Sequence, residues 1–381
     1  MNWSADDNRY MGLALQLAKK GQFTARPNPM VGCVIVNNNE IVGQGWHQKY
    51  GQAHAEINAL NQADNKATGA TCYVTLEPCS HQGKTAPCAK ALIKAGVKTV
   101  IAAMEDPNPK VKGKGFQLLL QSGIEVKLGL LQAQAIELNK GFVSRFKTGR
   151  PWIKLKLAAS LDGRTALANG ESKWITTADA RFDVQKLRAT QDAIITGIGT
   201  VKTDNPSFDV RSGDDQSSTQ FQWFSSIESF SQPIRILLDN QGQANLESKF
   251  FNDPKNGVYS QDKNVWWVTN ENEKLDKQTY SNIKLIKPAG LKKLLTKCAD
   301  QGMNNVLVEA GQKLAGSFIK QNLVDELIVY IAPKLMGNNA KGMFDLSIES
   351  MAETLELELK DVKPFGSDLR LTYKPKFNSH N

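Results

Sequence analysis

At 381 residues the chain is long for one domain, so we expect two. With 41% hydrophobic and 22% charged residues, it has the composition of a globular protein that can bury substantial cores. The sequence contains no long uninterrupted apolar run and no N-terminal signal-peptide layout. These features exclude a transmembrane helix and a secretory leader, and they predict a cytoplasmic protein.

The net charge of +9 is the second property of the whole chain that bears on its partners. A basic balance suits nucleic acids, but it also suits small phosphorylated substrates. No Lys/Arg run and no basic–aromatic repeat is present in the sequence. Charge alone therefore favours neither kind of partner.

The first part of the chain alternates predicted strands and helices, which indicates an α/β layered sheet with covering helices. An amphipathic helix opens it, and segments 31–36 and 41–46 form a predicted hairpin. A helix is predicted over residues 53–61, and a second helix over 89–95. Further strands are predicted at 72–76, 100–104 and 124–128.

Five cysteines are an odd number, and they lack the spacing of a disulfide framework. Cys33 and Cys72 fall in apolar, strand-like runs and are predicted to be buried thiols. Cys79 and Cys88 lie in loop-like segments, which leaves them as candidate metal ligands. A reducing compartment would keep both available as thiolates.

His54, Glu56, Cys79 and Cys88 form the most informative pattern in the sequence. Zinc favours tetrahedral sites built from His nitrogen and Cys sulfur, and a catalytic site leaves its fourth position to water. One His and two Cys supply three ligands, and Glu56 is close enough to His54 to move protons without being a ligand. The signature H-x-E…P-C-x-x-C is that of zinc-dependent base deaminases. Here the cysteines are farther apart, because eight residues separate them.

A structural zinc site is the alternative for the same residues. Such a site normally recruits four protein ligands, and His81 lies between the two cysteines. The predicted layout gives a zinc site of either kind a physical rationale. Helix N-termini favour anionic thiolates, and strand–loop–helix junctions lie at the sheet edge where α/β proteins bind ligands.

A domain boundary is predicted near residues 148–151, where Gly149 and Pro151 interrupt the pattern. Beyond it, residues 152–157 alternate as a strand, with Trp152, Lys154 and Lys156 on one face. Later strands are predicted at 193–196, 234–238, 265–269, 306–309 and 327–332, and helices at 177–189 and 312–321. The second part is therefore another α/β domain, and residues 212–232, rich in Ser, Gln and Asp, are predicted to be an exposed insertion.

Two glycine-containing turns follow strands in the second part, one at Gly197-Ile198-Gly199 and one at Gly311 to Gly316. Neither completes a Rossmann fingerprint or a P-loop, so each is compatible with a plain tight turn. Both lie where a strand gives way to a helix, which suits a phosphate or dinucleotide held by backbone N–H groups. From these residues alone the second half is predicted only to bind a ligand.

Taken together, the motifs resemble those of the bifunctional riboflavin-biosynthesis deaminase/reductase family over nearly the whole chain. Segments similar to its deaminase motifs are 27–32 (PNPMVG), 45–47 (GWH), 54–56 (HAE), 77–81 (EPCSH) and 106–109 (DPNP). Segments similar to its reductase motifs are 156–163 (KLAASLDG), 170–176 (GESKWIT), 200–206 (TVKTDNP) and 309–311 (EAG). In that family the wide cysteine gap is the normal form and His81 is not a zinc ligand.

The resemblance implies two α/β domains. Residues 1–147 would be a cytidine-deaminase-like three-layer α/β/α domain, and residues 148–381 a dihydrofolate-reductase-like domain that uses NADPH. The substrate would be 2,5-diamino-6-ribosylamino-4(3H)-pyrimidinone 5′-phosphate, with no nucleic-acid or membrane partner. A homodimer formed through the reductase domain is a further implication. Residues 212–232 and 240–264 depart from the compact family pattern.

In the deaminase domain the resemblance assigns zinc to His54, Cys79 and Cys88. Zinc would activate a water, and Glu56 would take its proton and deliver it to the leaving ammonia. The residues expected to hold the base and the phosphate are Asn28, His47, Lys84, Asp106 and Asn108. Of these, Lys84 and His47 would contact the anion.

In the reductase domain, hydride from NADPH would reduce the ribosyl C1′ and open the sugar to a ribityl chain. Lys156 and Asp204 match the reacting centre, where a buried lysine can stabilise or protonate the opened sugar. The substrate contacts would be Ser172, Arg188, Phe208, Arg211 and Glu309. The NADPH contacts would be Ala158, Trp174, Thr200, Asp204, Gly311, Gln312, Lys313, Leu314, Ala315, Gly316 and Ser317.

Two rival functions use the same zinc ligands. A nucleic-acid base deaminase with an accessory domain would suit the basic charge, but it predicts a tighter cysteine spacing and gives the second half no role. A zinc-stabilised binding module without catalysis predicts that chelation unfolds the first half and that Glu56→Gln leaves function intact.

Overall fold

The computed structural model of the chain describes residues 2–80, 87–211, 217–227, 231–251, 265–270 and 282–377. It divides into two compact units, Met1–Gly149 and Arg150–Asn381, close to the boundary predicted from the sequence. The predicted site residues His81 and Lys84 lie outside the described residues, as do parts of the segments 212–232 and 240–264. No helix in the described ranges has the length and apolarity that a membrane crossing requires.

The first unit contains a five-stranded sheet and six α-helices among its described residues. Its strands are β1 Gly32–Asn37, β2 Glu40–Trp46, β3 Thr71–Val74, β4 Thr99–Ala102 and β5 Glu125–Leu128. Its helices are α1 Ala5–Lys19, α2 Ala55–Ala63, α3 Cys88–Lys94, α4 Lys114–Gln121, α5 Gln132–Leu138 and α6 Lys140–Thr148.

The sheet has the order β2-β1-β3-β4-β5 and lies between two helical layers. One face of the strands packs against α2, α3 and α4, and the other packs against α1, α5 and α6. Alternate residues of β1 show the division, because Cys33 and Ile35 belong to the first core and Val34 and Val36 to the second. The three-layer α/β/α arrangement predicted for this half is confirmed.

Strand direction determines where the functional loops lie. β3, β4 and β5 are mutually parallel, and β1 runs antiparallel to both β2 and β3, so β2 is parallel to β3. The segments that follow β2, β3 and β4 therefore leave the sheet at one edge. The start of α2 packs tightly on the end of β2 at that edge. A Cβ on Gly45 of β2 would lie only 2.3 Å from the carbonyl oxygen of Ala55, the first residue of α2.

The second unit is built around a nine-stranded sheet. The described strands of the unit, which include two outside the large sheet, are β6 Trp152–Ser160, β7 Arg164–Ala166, β8 Ala193–Gly197, β9 Ile234–Leu238, β10 Val265–Val268, β11 Ile283–Ile286, β12 Asn305–Glu309, β13 Glu326–Ala332, β14 Lys341–Gly342, β15 Glu356–Phe365 and β16 Asp368–Lys376. Its helices are α7 Ala178–Ala189, α8 Ile198–Asp204, α9 Thr219–Ser225, α10 Leu291–Asp300 and α11 Gln312–Lys320.

The large sheet has the order β11-β10-β9-β8-β12-β6-β13-β16-β15, with β7 and β14 forming a separate pair. Seven strands are parallel, and β16 and β15 complete the sheet in antiparallel pairing. As predicted, β6 buries Ile153, Leu155 and Leu157 on one face. That face packs with α10 and α11, so the second unit is the α/β layered domain expected from the sequence.

The hairpin β15–β16 was not predicted from the sequence. Eight of the ten residues of β15 are exposed and the other two are half-buried, so none is buried. A strand at the edge of a sheet, open on both faces, lacks the buried apolar pattern by which strands are recognised. The described part of the insertion forms α9, whose residues are exposed or half-buried and none of which is buried.

Candidate active sites

The first unit brings His54, Cys79 and Cys88 together at the carboxyl edge of its sheet. The Nδ1 atom of His54 lies 3.6 Å from the Cys79 sulfur and 3.3 Å from the Cys88 sulfur. The three ligand atoms all lie within 4.8 Å of one another. Zn–N and Zn–S bonds at tetrahedral angles place N and S about 3.6 Å apart. The donor set and its dimensions therefore fit a zinc ion with one coordination position left open.

Local structure explains how residues distant in sequence meet here. His54 is the N-cap residue of α2, Cys88 is the first residue of α3, and Cys79 follows β3. Two hydrogen bonds join the cysteine segments, since the Cys88 N–H donates to the Cys79 sulfur at 3.4 Å and the Ala89 N–H donates to the Cys79 carbonyl at 3.1 Å. Helix N-termini point backbone N–H groups at anionic ligands, so this placement favours thiolates.

The two thiols differ in their acidity. A hydrogen bond from the Cys88 thiol lowers the pKa of Cys79 to about 4, against the opposing effect of burial. The same interaction, together with burial, raises the pKa of Cys88. One thiolate is therefore formed readily by the protein itself, and a bound dication would favour ionisation of the second.

Glu56 lies in the first turn of α2 and is only 3% exposed. Burial, followed by the nearby Cys79 thiolate, raises the pKa of Glu56 to about 7. A carboxyl group with such a pKa can take up and release a proton near neutral pH. It therefore has the properties of a general acid–base next to the three ligand atoms.

His47 and Asn28 lie beside this cluster. The His47 Nδ1 atom is 3.2 Å from the Ala53 carbonyl oxygen, and its Nε2 atom is 3.1 Å from the Asn28 side-chain nitrogen. Burial lowers the pKa of His47. A neutral ring that donates from Nδ1 and accepts at Nε2 satisfies both contacts, so His47 orients the Asn28 amide. The anionic contact expected of His47 would then need a different protonation state.

Asp106 and Asn108 lie in the loop after β4, at the same edge of the sheet. Burial raises the pKa of Asp106 to about 6, and its carboxylate accepts the Asn108 N–H at 2.8 Å. Asp106 is itself buried. The structure thus gathers four of the five predicted base and phosphate contacts near the zinc ligands, and the fifth, Lys84, lies outside the described residues.

Asn139 supports this edge and was missed from the sequence. Its side-chain oxygen accepts the Met30 N–H and its side-chain nitrogen donates to the Met30 carbonyl, both at 2.8 Å. The buried amide therefore holds the backbone two residues from Asn28. An isolated Asn more than a hundred residues away in sequence gives no local signal of such a contact.

The second unit places a buried carboxylate between two cations. Glu309, at the end of β12, accepts hydrogen bonds from Arg188 Nε at 2.6 Å and Arg188 Nη2 at 3.1 Å. Its other close cation is Lys156 of β6, whose Nζ lies 3.6 Å from Glu309 Oε2. The predicted catalytic lysine therefore has Glu309, and not Asp204, as its carboxylate partner among the described residues.

Burial and pairing oppose each other in this cluster. Burial lowers the pKa of Lys156, and Glu309 partly restores it. Burial alone would raise the pKa of Glu309, but Arg188 and Lys156 outweigh it and lower that pKa. Two cations and one carboxylate leave a net positive charge at the carboxyl edge of the sheet, which suits an anionic ligand.

The other predicted reductase residues lie on several elements, and Phe208 and Arg211 are the two with contacts linked to this cluster. Asp204, the last residue of α8, accepts a hydrogen bond from the Ser172 hydroxyl at 3.2 Å. Phe208 is buried with its ring 5.1 Å from the Arg188 guanidinium carbon. Arg211 is about half exposed and pairs with Asp209 at 2.8 Å. The exposed guanidinium of Arg211 is available to an incoming phosphate.

The predicted cofactor residues meet at two strand–helix junctions. Gly311 is the N-cap residue of α11, and a Cβ added there would meet nothing within 4 Å. Gly197, the N-cap residue of α8, lies beside Leu314 of α11. The N–H groups at the start of a helix have no partner within that helix, so this open glycine edge fits a pyrophosphate.

The remaining cofactor predictions differ in their surroundings. Thr200 lies in α8, Ala158 lies in β6, and Trp174 is 62% exposed with Arg181 4.3 Å above its ring. In α11, Ala315 belongs to the hydrophobic core, and Gly316 packs against the Asp345 backbone. The start of the helix, Gly311 to Leu314, is therefore better placed for a ligand than its second turn.

Comparison with known proteins covers both units. Residues 4–104 match the family described as the cytidine and deoxycytidylate deaminase zinc-binding region, and residues 151–371 match the RibD C-terminal domain. The chain is 46% identical to the riboflavin biosynthesis protein RibD of Escherichia coli (strain K12) over 370 residues, which are 96% of this chain and 98% of that protein.

Solved structures agree over the same extent. Acinetobacter baumannii RibD is similar with a TM-score of 0.88 at 42% identity, covering 97% of this chain and 99% of that one. A Thermotoga maritima protein, described as a diaminohydroxyphosphoribosylaminopyrimidine deaminase/5-amino-6-(5-phosphoribosylamino)uracil reductase, is similar with a TM-score of 0.82 at 29% identity. Those alignments cover 97% of this chain and 99% of the Thermotoga chain.

The cysteine and histidine cluster predicts one zinc ion per chain. Cys79→Ser removes a ligand, so we expect the purified variant to lose most of its zinc in elemental analysis. Glu56→Gln should retain a full equivalent of zinc because Glu56 is not a ligand. Cys298 is a buried cysteine of the second unit, so Cys298→Ser is the matched control and should also retain its zinc. Full zinc occupancy in Cys79→Ser would contradict the site.

Proposed function

The chain belongs to the RibD family of riboflavin-biosynthesis proteins, and from this membership we propose the substrate and the residues of each of its reactions. It is a bifunctional enzyme, with a zinc-dependent deaminase and an NADPH-dependent reductase. The proposed substrate is 2,5-diamino-6-ribosylamino-4(3H)-pyrimidinone 5′-phosphate. Residues 1–147 would deaminate its pyrimidine ring, and residues 148–381 would then reduce its ribosyl group to a ribityl chain.

The deaminase assignment is supported above all by the position of buried Glu56 beside His54, Cys79 and Cys88. Zinc, when bound by these three residues, supplies a water whose pKa is lowered to about 7. Glu56 accepts the proton that this water loses and returns it to the amino group that leaves as ammonia. Asn28, Asp106 and Asn108 would hold the pyrimidine so that the carbon bearing the 2-amino group faces the metal.

The reductase assignment is supported by the cluster of Lys156, Arg188 and Glu309. NADPH, when bound, supplies the hydride that reduces the ribosyl C1′. The bond from C1′ to the ring oxygen breaks, and the ring oxygen then needs a proton, which the Lys156 ammonium can donate. Glu309 favours the protonated form of Lys156 against the opposing effect of burial, and Arg211 would bind the substrate phosphate.

We further propose a homodimer formed through the reductase half. The exposed apolar side chains Leu357, Leu359, Val362 and Leu369 lie on the hairpin β15–β16 at the edge of the large sheet. The bulge between Leu359 and Asp361 and the pairing of Val362 with Leu371 keep these side chains on one face. An apolar face on an edge hairpin supports association with a second copy.

Glu56→Gln tests the deaminase directly. We expect deamination to fall by about 10²–10⁴-fold, because a neutral amide cannot accept or return the proton. The substrate is incubated with the enzyme with and without NADPH, and the products are identified by mass spectrometry. Reduction of the deaminated intermediate by the same variant is the internal control. Full deamination by Glu56→Gln would contradict the mechanism.

Glu309→Gln tests the electrostatic role of the reductase cluster. Glu309 raises the pKa of Lys156, so its removal should lower that pKa and leave Arg188 unopposed beside the lysine. The alkaline limb of the pH profile of reductase kcat should move to lower pH. Glu356→Gln, which removes an exposed carboxylate of the same unit, should leave the limb in place. An unmoved limb in Glu309→Gln would show that Lys156 does not carry the reactive proton.

Leu359→Glu tests the dimer. A charge at the centre of the apolar face should convert the protein to monomer in sedimentation at micromolar concentration, because the charge would lose its water in the interface. Lys363→Glu changes a charge of the same strand that lies off the apolar face and should leave the mass unchanged. A wild-type mass equal to the monomer would exclude the dimer outright.

A further inference from the structure

Glu77 is a buried carboxylate that the deaminase mechanism does not use. It is 3% exposed and lies just after β3, two residues before the zinc ligand Cys79. No Lys, Arg or His pairs with it within the described part of the chain. A buried carboxylate needs hydrogen bonds that replace its lost water.

Three backbone N–H groups provide those hydrogen bonds. Asp106 donates at 3.2 Å and Gly113 at 3.0 Å to Glu77 Oε2, and Gly115 donates at 2.9 Å to Glu77 Oε1. The Glu77 N–H also donates to the Met104 carbonyl at 3.0 Å. Met104, Asp106 and Gly113 belong to the loop after β4 and Gly115 lies in the first turn of α4, so Glu77 ties both ends of that loop to itself.

The loop held in this way carries Asp106 and Asn108. Its far end packs directly on the zinc-ligand segment, because a Cβ on Gly115 would lie 1.9 Å from the Pro78 carbonyl oxygen. Within the loop, the Asp106 carboxylate accepts the Asn108 N–H at 2.8 Å. One side chain therefore sets the position of two predicted substrate contacts relative to Cys79.

We propose that Glu77 is a positioning residue of the deaminase, whose carboxylate fixes Asp106 and Asn108 at a set distance from the metal ligand Cys79. The proposal rests on the proposed function, which assigns those two residues to the pyrimidine substrate. Glu77 contacts neither the substrate nor the metal. Its effect is on the geometry of substrate binding.

Glu77→Gln is the isosteric test. Gln has one oxygen where Glu has two, so its NH₂ group must face at least one backbone N–H donor and leave it unpaired. We expect the KM for the diaminopyrimidinone phosphate to rise by roughly tenfold or more, with a smaller change in kcat. Zinc content and reduction of the deaminated intermediate should stay at the wild-type level. A wild-type KM in a zinc-loaded Glu77→Gln would overturn the proposal.

A second variant covers the case in which Glu77→Gln loses zinc or fails to fold. Glu77→Asp keeps the charge but is shorter by one methylene, so it cannot reach all three N–H groups at once. The proposal expects a raised KM with zinc retained, and an unchanged KM in this variant overturns it.

Asn108→Ala separates this proposal from the function on which it rests. If the wild type does not deaminate the substrate, or if Asn108→Ala leaves KM unchanged, the assigned substrate contacts are wrong. If the wild type is active and Asn108→Ala raises KM while both Glu77 variants do not, only the role of Glu77 is wrong.

Discussion

A carboxylate taken out of water must find hydrogen bonds or cations inside the protein, and this constraint shapes the carboxyl edge of both sheets. Glu77, Glu56 and Glu309 are all buried there. Glu77 is satisfied by neutral backbone N–H groups and Glu309 by an arginine and a lysine, whereas Glu56 has its own backbone N–H and the Cys88 thiol as hydrogen-bond partners. The three environments give the same side chain three different uses.

Neutral donors hold a carboxylate without changing the charge that a substrate meets. Glu77 is therefore suited to fixing backbone, since its hydrogen bonds hold the loop after β4 and the start of α4. Glu309 is surrounded by more positive charge than it carries, so the reductase cluster keeps a surplus cation for a phosphorylated substrate and its anionic cofactor. Burial and the nearby Cys79 thiolate raise the pKa of Glu56 to about 7, which suits the proton transfer proposed for it.

The sequence predicted those features that repeat locally or that belong to recognisable motifs. Strand β6 was predicted because its alternation of buried and half-buried residues matches the period of a strand in a layered sheet. The zinc ligands were predicted because residue type alone restricts their chemistry. Asn139 and the partner of Lys156 could not be predicted, since each depends on a contact between segments more than a hundred residues apart. Strand β15 of the hairpin was missed because it lies at the edge of the sheet and none of its residues is buried.

The spacing of the two cysteines shows that residues can be far apart in sequence and still be in contact at such a site. Eight residues separate Cys79 from Cys88, yet the Cys88 N–H donates to the Cys79 sulfur and the Ala89 N–H to the Cys79 carbonyl. The metal requires this junction between a strand end and a helix start, and it sets no limit on the length of chain between them. The longer connection is therefore free to serve the substrate, and it includes Lys84, which resemblance assigns to the phosphate.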